Sequence, residues 1–213
     1  MALSALSDEL MRAEGMMMQD QNEEALELLL RLAEDTEEYV DCNCQTTDEL
    51  QYFAFPTLFD RLAYRRVEND PRKLEDVAEP FDRLYGDLAM AYVRTGDYES
   101  AMNALKTAIR WNPMNCGFRL DLADLFKIAG DIREQMALTF GVFERASEAR
   151  HLTRAFLNFA AWFEAQGRLE QAAACLRTAR RFEVKDGALE AALDQAAGTP
   201  KDPDGLTDEE AND

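Results

Sequence analysis

Few side chains in this sequence have a type and spacing that could do chemistry. His151 is the only histidine, so a two-histidine metal site or a Cys–His–Asp relay would depend on that one residue. Cys42 and Cys44 form a C-x-C pair that could bind a metal or cycle between thiol and disulfide, but no second Cys/His pair follows at zinc-site spacing. Cys116 and Cys175 are interpreted as small apolar fillers. We therefore predict no catalytic residue, no metal and no cofactor.

The composition and net charge of the chain limit the kinds of partner that it can bind. The chain has 213 residues, of which 47% are hydrophobic, so it can bury a sizeable core. Its formal net charge is −19, which repels phosphate backbones and anionic membrane surfaces, so we predict neither nucleic acid nor a membrane as partner. Four cysteines do not make a disulfide scaffold, and the first residues lack the basic and apolar regions of a signal peptide. These features predict a cytoplasmic protein.

The elements that must position any site come from an internal repeat in the second half. The pattern Leu88-Ala89-x₂-Tyr92-x₃-Gly96 recurs 34 positions later, ending at Gly130, and again 37 positions further on, ending at Gly167. A glycine after apolar residues at helical spacing predicts a helix–turn–helix unit, because glycine adopts the positive φ that ends a helix. Asp97 and Asp131 then suit the N-caps of the second helices.

This repeat resembles that of the tetratricopeptide repeat (TPR) family. Residues 82–115 read Tyr85-x₂-Leu88-Ala89-x₂-Tyr92, then Ala101-x₃-Leu105-x₂-Ala108, then Pro113, which is nearly the full family pattern. The resemblance implies an all-α fold: a right-handed α-α superhelix of stacked helix–turn–helix repeats, closed by a capping helix. Small residues at fixed places in that fold let neighbouring helices approach closely.

The other repeats follow the pattern less evenly. The third, at about 153–186, fits well except that Val184 replaces the final proline. The second, 116–149, has Gln135 in place of the repeat alanine and Thr139 in place of the following large apolar residue, which predicts looser packing in that hairpin. Apolar residues at helical spacing in 188–196 predict the capping helix.

The first eighty residues do not follow the 34-residue repeat. Residues 4–19 and 22–38 are predicted to form two helices that resemble a degenerate leading repeat, although no glycine marks the turn. The aromatic run 52–55 either fills the groove of the superhelix or packs as ordinary core, and we favour core packing. Residues 57–66 are predicted to form a short helix with Leu58, Phe59, Leu62 and Ala63 facing inward.

Three regions follow from these patterns. Residues 1–80 are predicted to be an N-terminal helical region with the degenerate repeat and an irregular insertion, and residues 81–198 to hold three TPR-like repeats and the capping helix. Residues 199–213 are strongly acidic and contain one large apolar residue, so they are predicted to be a disordered tail. A solubilising role is favoured for this tail over a docking role.

The resemblance also implies where a ligand would bind. In the family, the first helix of each repeat lines a concave groove that holds a protein or peptide. The mapped positions are Arg83, Asp87, Met90 and Arg94 in the first repeat, Asp121, Asp124 and Lys127 in the second, and Arg154, Asn158 and Ala161 in the third. Arg83, Arg94, Lys127 and Arg154 would be the anchors for acidic groups.

The function predicted from this resemblance is that of a non-catalytic adaptor or scaffold that binds a protein or peptide. Two alternatives stay open: a secretion-type chaperone, and a helical regulatory subunit of an enzyme in which residues 39–80 are the functional element. Self-association into a homodimer is a further alternative, because repeat arrays with apolar ends often pair to cover them.

Overall fold

The structure is a computed structural model that describes residues 3–198. The described residues form an all-α repeat fold, as predicted, with one small parallel sheet in the insertion. The elements are α1 Leu3–Met18, α2 Asn22–Asn43, β1 Leu50–Phe53, α3 Leu58–Glu68, β2 Lys73–Asp76, α4 Phe81–Thr95, α5 Tyr98–Trp111, α6 Cys116–Ile128, α7 Ile132–Gly141, α8 Ala149–Ala165, α9 Leu169–Arg180 and α10 Gly187–Gly198. They divide into two compact units, with the boundary between Leu125 and Phe126.

Four helical hairpins share one turn geometry. In each, a residue with positive φ follows the first helix: Asp20, Gly96, Gly130 or Gly167. The next backbone N–H then donates to the carbonyl five residues earlier, in the pairs Gln21–Met16, Asp97–Tyr92, Asp131–Phe126 and Arg168–Phe163. This bond satisfies a carbonyl that the helix end would otherwise leave unpaired. The α1–α2 hairpin is thus built like the others, with Asp20 in the conformation that glycine adopts elsewhere.

The predicted N-caps are confirmed for the second helices of two hairpins. The Asp97 carboxylate accepts from the backbone N–H of Ser100 at 3.0 Å. The Asp131 carboxylate accepts from the backbone N–H of Glu134 at 3.1 Å. Each bond satisfies one of the four donors that a helix start leaves free, so these aspartates fix where α5 and α7 begin.

Small residues occupy the same place in each first helix. Ala13, Ala89, Ala123 and Ala160 are at most 4% exposed. Ala25, Ala101 and Ala172 occupy an equivalent buried place in the second helices, where Gln135 stands in α7. Because alanine adds little bulk, the backbones of paired helices can approach closely while larger neighbours such as Leu84 fill the space beside them.

The α7 segment of the second unit has a polar interior. Gln135 and Thr139 are buried, and the Thr139 hydroxyl donates to the Gln135 carbonyl at 2.9 Å. The Asn158 side chain of α8 donates to the same hydroxyl at 3.3 Å. The first repeat buries Ala101 and Leu105 at these two places, so less apolar surface holds α7 in place. Farther along the unit, α10 packs against α8 and α9 as the predicted capping helix.

The insertion between α2 and α4 is a small β-α-β unit. Strands β1 and β2 are parallel, with Leu50 opposite Lys73, and α3 connects them. The aromatic run packs as core, in a cluster of Phe53, Phe55, Tyr64, Leu74 and Met114. The Ala54 N–H donates to the Trp111 carbonyl at 2.9 Å, which ties the insertion to the end of α5.

The predicted orientation of α3 is wrong for three of the four residues expected to face inward, whereas Ala63 packs against the core as predicted. Leu58, Phe59 and Leu62 are 70%, 64% and 59% exposed instead of facing inward. The buried face is set by Tyr64, whose ring lies 4.6 Å from that of Phe53 and whose hydroxyl donates to the Asp70 carboxylate at 2.9 Å. Both faces of this helix carry apolar residues, and the one that also satisfies a buried hydroxyl is the one that packs.

A pair of glycine substitutions tests the packing of the first helices. Gly15 lies within α1 with open space where a Cβ would stand, whereas a Cβ on Gly86 of α4 would lie 2.5 Å from the ring of Phe118 in α6. Gly15→Ala should raise the free energy of unfolding by about 0.5–1 kcal/mol, because glycine is a poor helix former. Gly86→Ala should lower it by about 1 kcal/mol, because overpacking outweighs that gain. Urea denaturation measures both, and shifts of the same sign would contradict this packing.

Candidate functional site

Two of the predicted ligand-binding residues of α4 form hydrogen bonds to α1. Arg83 donates to the Glu14 carboxylate through Nε at 2.9 Å and Nη2 at 2.6 Å. Arg94 donates through Nη1 to the backbone carbonyl of Met17 at 2.8 Å. These bonds hold the first helices of two hairpins side by side, so α1 and α4 present one continuous face within the first unit. We call this surface the α1–α4 face.

Three exposed methionines distinguish the α1–α4 face. Met11 and Met18 occupy the same repeat places in α1 as Asp87 and Arg94 in α4, and they are 55% and 83% exposed. Met90 of α4 is 48% exposed. Exposed thioether side chains are flexible and polarisable and can adapt to different partner surfaces. Of the three, only Met90 was predicted from the sequence, although the repeat register extended into α1 indicates Met11 and Met18 as well.

Asp87 is the most strongly perturbed acid of this face. Its carboxylate is 18% exposed and lies 3.9 Å from Arg83 Nε. Burial, and then the negative charge of Glu14, raise its pKa to about 7, although the positive charge of Arg83 opposes the shift. A carboxyl group on this face therefore changes its charge near neutral pH.

The other predicted positions are shared between the two units. Asp121 and Asp124 of α6 are half-buried in the first unit. Lys127 lies at the exposed end of α6, and Arg154, Asn158 and Ala161 lie on α8, all in the second unit. Asn158 is engaged with Thr139 of α7, so it contributes to packing there.

The residues first considered for chemistry lie apart from this face. His151 is buried at the start of α8. All four cysteines are free thiols, with Cys42 exposed on α2 and Cys44 buried just after it. Within residues 3–198, no three His, Cys, Asp or Glu side chains are grouped as a metal site would require. No helix of that same stretch combines the length and apolar character needed to cross a bilayer.

Comparison with known proteins identifies the repeat. The tetratricopeptide repeat profile matches residues 82–115, which comprise α4 and α5 and the turn between them. No curated protein sequence matches the chain. Among solved structures, the crystal structure of MamA is 16% identical, covers 82% of this chain and 86% of its own, and has a TM-score of 0.42. A thermophilic TPR protein from Thermus thermophilus is 19% identical, covers 90% of this chain and 98% of its own, and has a TM-score of 0.45.

The matched residues are those of the first repeat predicted from the sequence. The same turn geometry recurs in three further hairpins of the described chain, at Asp20, Gly130 and Gly167. The described residues form an all-α repeat fold that contains a tetratricopeptide repeat at residues 82–115.

Proposed function

We propose that this protein is a non-catalytic adaptor or scaffold that binds a segment of another protein on the α1–α4 face. The observation that carries the proposal is the set of exposed methionines, Met11, Met18 and Met90, beside the charged groups that join the two helices. Methionine and arginine are enriched at protein interfaces, and repeat arrays use the face formed by successive helices for binding.

The energetics of this face suit a protein ligand. Fully burying an exposed methionine side chain contributes about 1.5–3 kcal/mol, so three of them supply a substantial part of a binding free energy. Arg94 is the better anchor for an acidic group, because its ion-pair partner Asp20 is 3.9 Å away and 93% exposed. Arg83 is already held by Glu14 through two hydrogen bonds, so its main role is to fix the two helices.

The other mapped positions stay predictions from the sequence: Asp121, Asp124, Lys127, Arg154, Asn158 and Ala161. A cytoplasmic location stays a prediction from the sequence, as does the homodimer alternative. Nothing in the α1–α4 face favours the secretion-type chaperone or the regulatory subunit over a general adaptor.

Peptides selected from a random library on the full chain give a direct test. The double substitution Met11→Glu and Met90→Glu should weaken the binding of those peptides by at least about tenfold, because two buried apolar contacts are lost and two charges must be desolvated. Both positions are exposed, so the double variant should keep its helical circular dichroism spectrum. Leu30→Glu is the matched control, because Leu30 is an exposed apolar residue of α2 outside this face. An equal loss in the control would contradict the proposal.

A further inference from the structure

A second site of the first unit lies away from the methionines, in a cleft between α2 and the start of α4. The cleft has a volume of about 450 Å³, which accommodates a side chain or a small ligand. Its walls include the carboxyl groups of Asp35, Glu38 and Glu79 and the rings of Tyr39 and Phe81. The residues that line it include no basic side chain. We call it the α2–α4 cleft.

Two polar atoms of the α2–α4 cleft have no hydrogen-bond partner. Thr36 is 1% exposed, and its hydroxyl oxygen is unpaired although it is buried in the wall of the cleft. The Glu79 carboxylate oxygen Oε2 is also buried without a partner. Buried polar groups are almost always paired in folded proteins, because an unpaired one carries its full desolvation cost. Two such atoms in one cleft indicate that a hydrogen-bond donor belongs there.

The surrounding groups define the charge of that donor. Three carboxyl groups attract a cation, and burial raises the pKa of Glu79. The rings of Tyr39 and Phe81 meet edge to face with their centroids 6.1 Å apart. Aromatic rings stabilise a desolvated cation over their faces, and they also pack against the methylene chain that carries it.

We propose that the α2–α4 cleft binds the ammonium or guanidinium group of a lysine or arginine side chain from a partner protein. The cation pairs with Glu79, donates to the Thr36 hydroxyl and extends its methylenes along Tyr39 and Phe81. A lysine ammonium has three donors and an arginine guanidinium five, so either carries enough donors for two acceptors. The net charge of −19 favours such partners by long-range attraction. This site is separate from the α1–α4 face and does not depend on it.

Three blocked tripeptides test the proposal on the full chain by calorimetry or NMR titration. N-acetyl-Gly-Lys-Gly-amide and N-acetyl-Gly-Arg-Gly-amide supply the two cations, and N-acetyl-Gly-norleucine-Gly-amide supplies the apolar chain alone. We expect saturable binding of one or both cationic peptides with a dissociation constant of about 1 mM or below, and at least tenfold weaker binding of the norleucine peptide. Comparing the two cationic peptides shows which side chain is preferred.

Matched variants localise the binding. Glu79→Gln should weaken the binding of the cationic peptides by about tenfold, because a charge-assisted contact becomes a neutral one. Glu34→Gln removes an exposed acid of α2 that does not line the cleft, and should change binding less than about twofold. Thr36→Val keeps the side-chain shape and should weaken binding by about threefold. Glu79→Gln should also raise the melting temperature of the free protein, because burial disfavours the charged form of Glu79.

Several outcomes would overturn the proposal. If the norleucine peptide bound as tightly as the cationic peptides, the cleft would recognise only an apolar chain. If Glu79→Gln and Glu34→Gln lost equal affinity for the cationic peptides, general charge attraction alone would explain the binding. Absence of saturable binding up to about 10 mM would leave too little affinity for a specific site. A lower melting temperature for Glu79→Gln would show that Glu79 stabilises the fold on its own.

Discussion

Replacing Asn112 by alanine should lower the free energy of unfolding by about 3 kcal/mol, because it removes the side-chain hydrogen bond of a buried carboxylate. Asn112 follows the last residue of α5 and is 2% exposed. Its side-chain nitrogen donates to the Asp82 carboxylate at 2.8 Å, and its side-chain oxygen accepts from the Met114 N–H at 3.2 Å. Asp82 is itself only 8% exposed, so water cannot replace the lost bond. Urea denaturation at pH 7 measures the effect.

The pH dependence and a second substitution separate this cause from simple loss of packing. Burial raises the pKa of Asp82, and the bond from Asn112 opposes that rise. Removing Asn112 should therefore raise the pKa further, and the penalty should shrink as the pH falls and Asp82 becomes protonated. Asp82→Asn in the Asn112→Ala background should recover part of the stability. Asn103→Ala, at an exposed position of α5, is the control and should change stability by less than about 0.5 kcal/mol. A penalty that is independent of pH would contradict this account.

The repeat architecture could be predicted because it depends on local rules. Glycine at a helix end, aspartate at the next helix start and alanine at the crossing points each leave a signal in the sequence. The leading hairpin was recognised from its apolar spacing alone, because Asp20 adopts the positive φ that glycine adopts in the other three. Aspartate tolerates that conformation better than most residues, so a missing glycine does not exclude the turn.

The insertion could be predicted less well because tertiary contacts decide its structure. Each strand has only four residues, and β2 reads Lys-Leu-Glu-Asp, too short and too charged to show a strand pattern. The face that α3 buries depends on Tyr64 finding both the Phe53 ring and the Asp70 carboxylate. The spacing of Leu58, Phe59 and Leu62 does not indicate that α3 buries the face that carries Tyr64 instead.

The candidate sites could likewise be predicted only in part from the sequence. The helical face that carries Arg83 and Arg94 was derived from the repeat, but their bonds to α1 were not, because the insertion separates α2 from α4 in sequence although they pack together. The α2–α4 cleft was missed for the same reason. Glu79 and Phe81 lie next to Thr36 and Tyr39 only once the insertion has folded. Sites formed by long-range contacts leave no spacing for a sequence motif to capture.

Asp87→Asn should make the protein more stable at pH 8 by about 4 kcal/mol. The pKa of this carboxyl is about 7 in the folded protein against an ordinary value of 3.8, and each tenfold change in an acid dissociation constant corresponds to about 1.4 kcal/mol. A raised pKa means that the folded state binds the proton more tightly than the unfolded state. The free energy of unfolding of the wild type should therefore fall as the pH rises from about 4 to about 7, and Asp87 should contribute no further change above that.

The asparagine variant keeps the shape of the side chain and removes the titration. Its stability should vary less with pH between about 4 and 7, and the two proteins should converge toward pH 4, where Asp87 is protonated. Asp8→Asn is the control, because Asp8 is an exposed acid of α1, and it should leave the wild-type slope unchanged. Thermal denaturation across this pH range makes the comparison. If Asp87→Asn were less stable at pH 8 and kept the wild-type slope, the Arg83 contact would outweigh burial, and the α1–α4 face would hold a permanently charged Asp87.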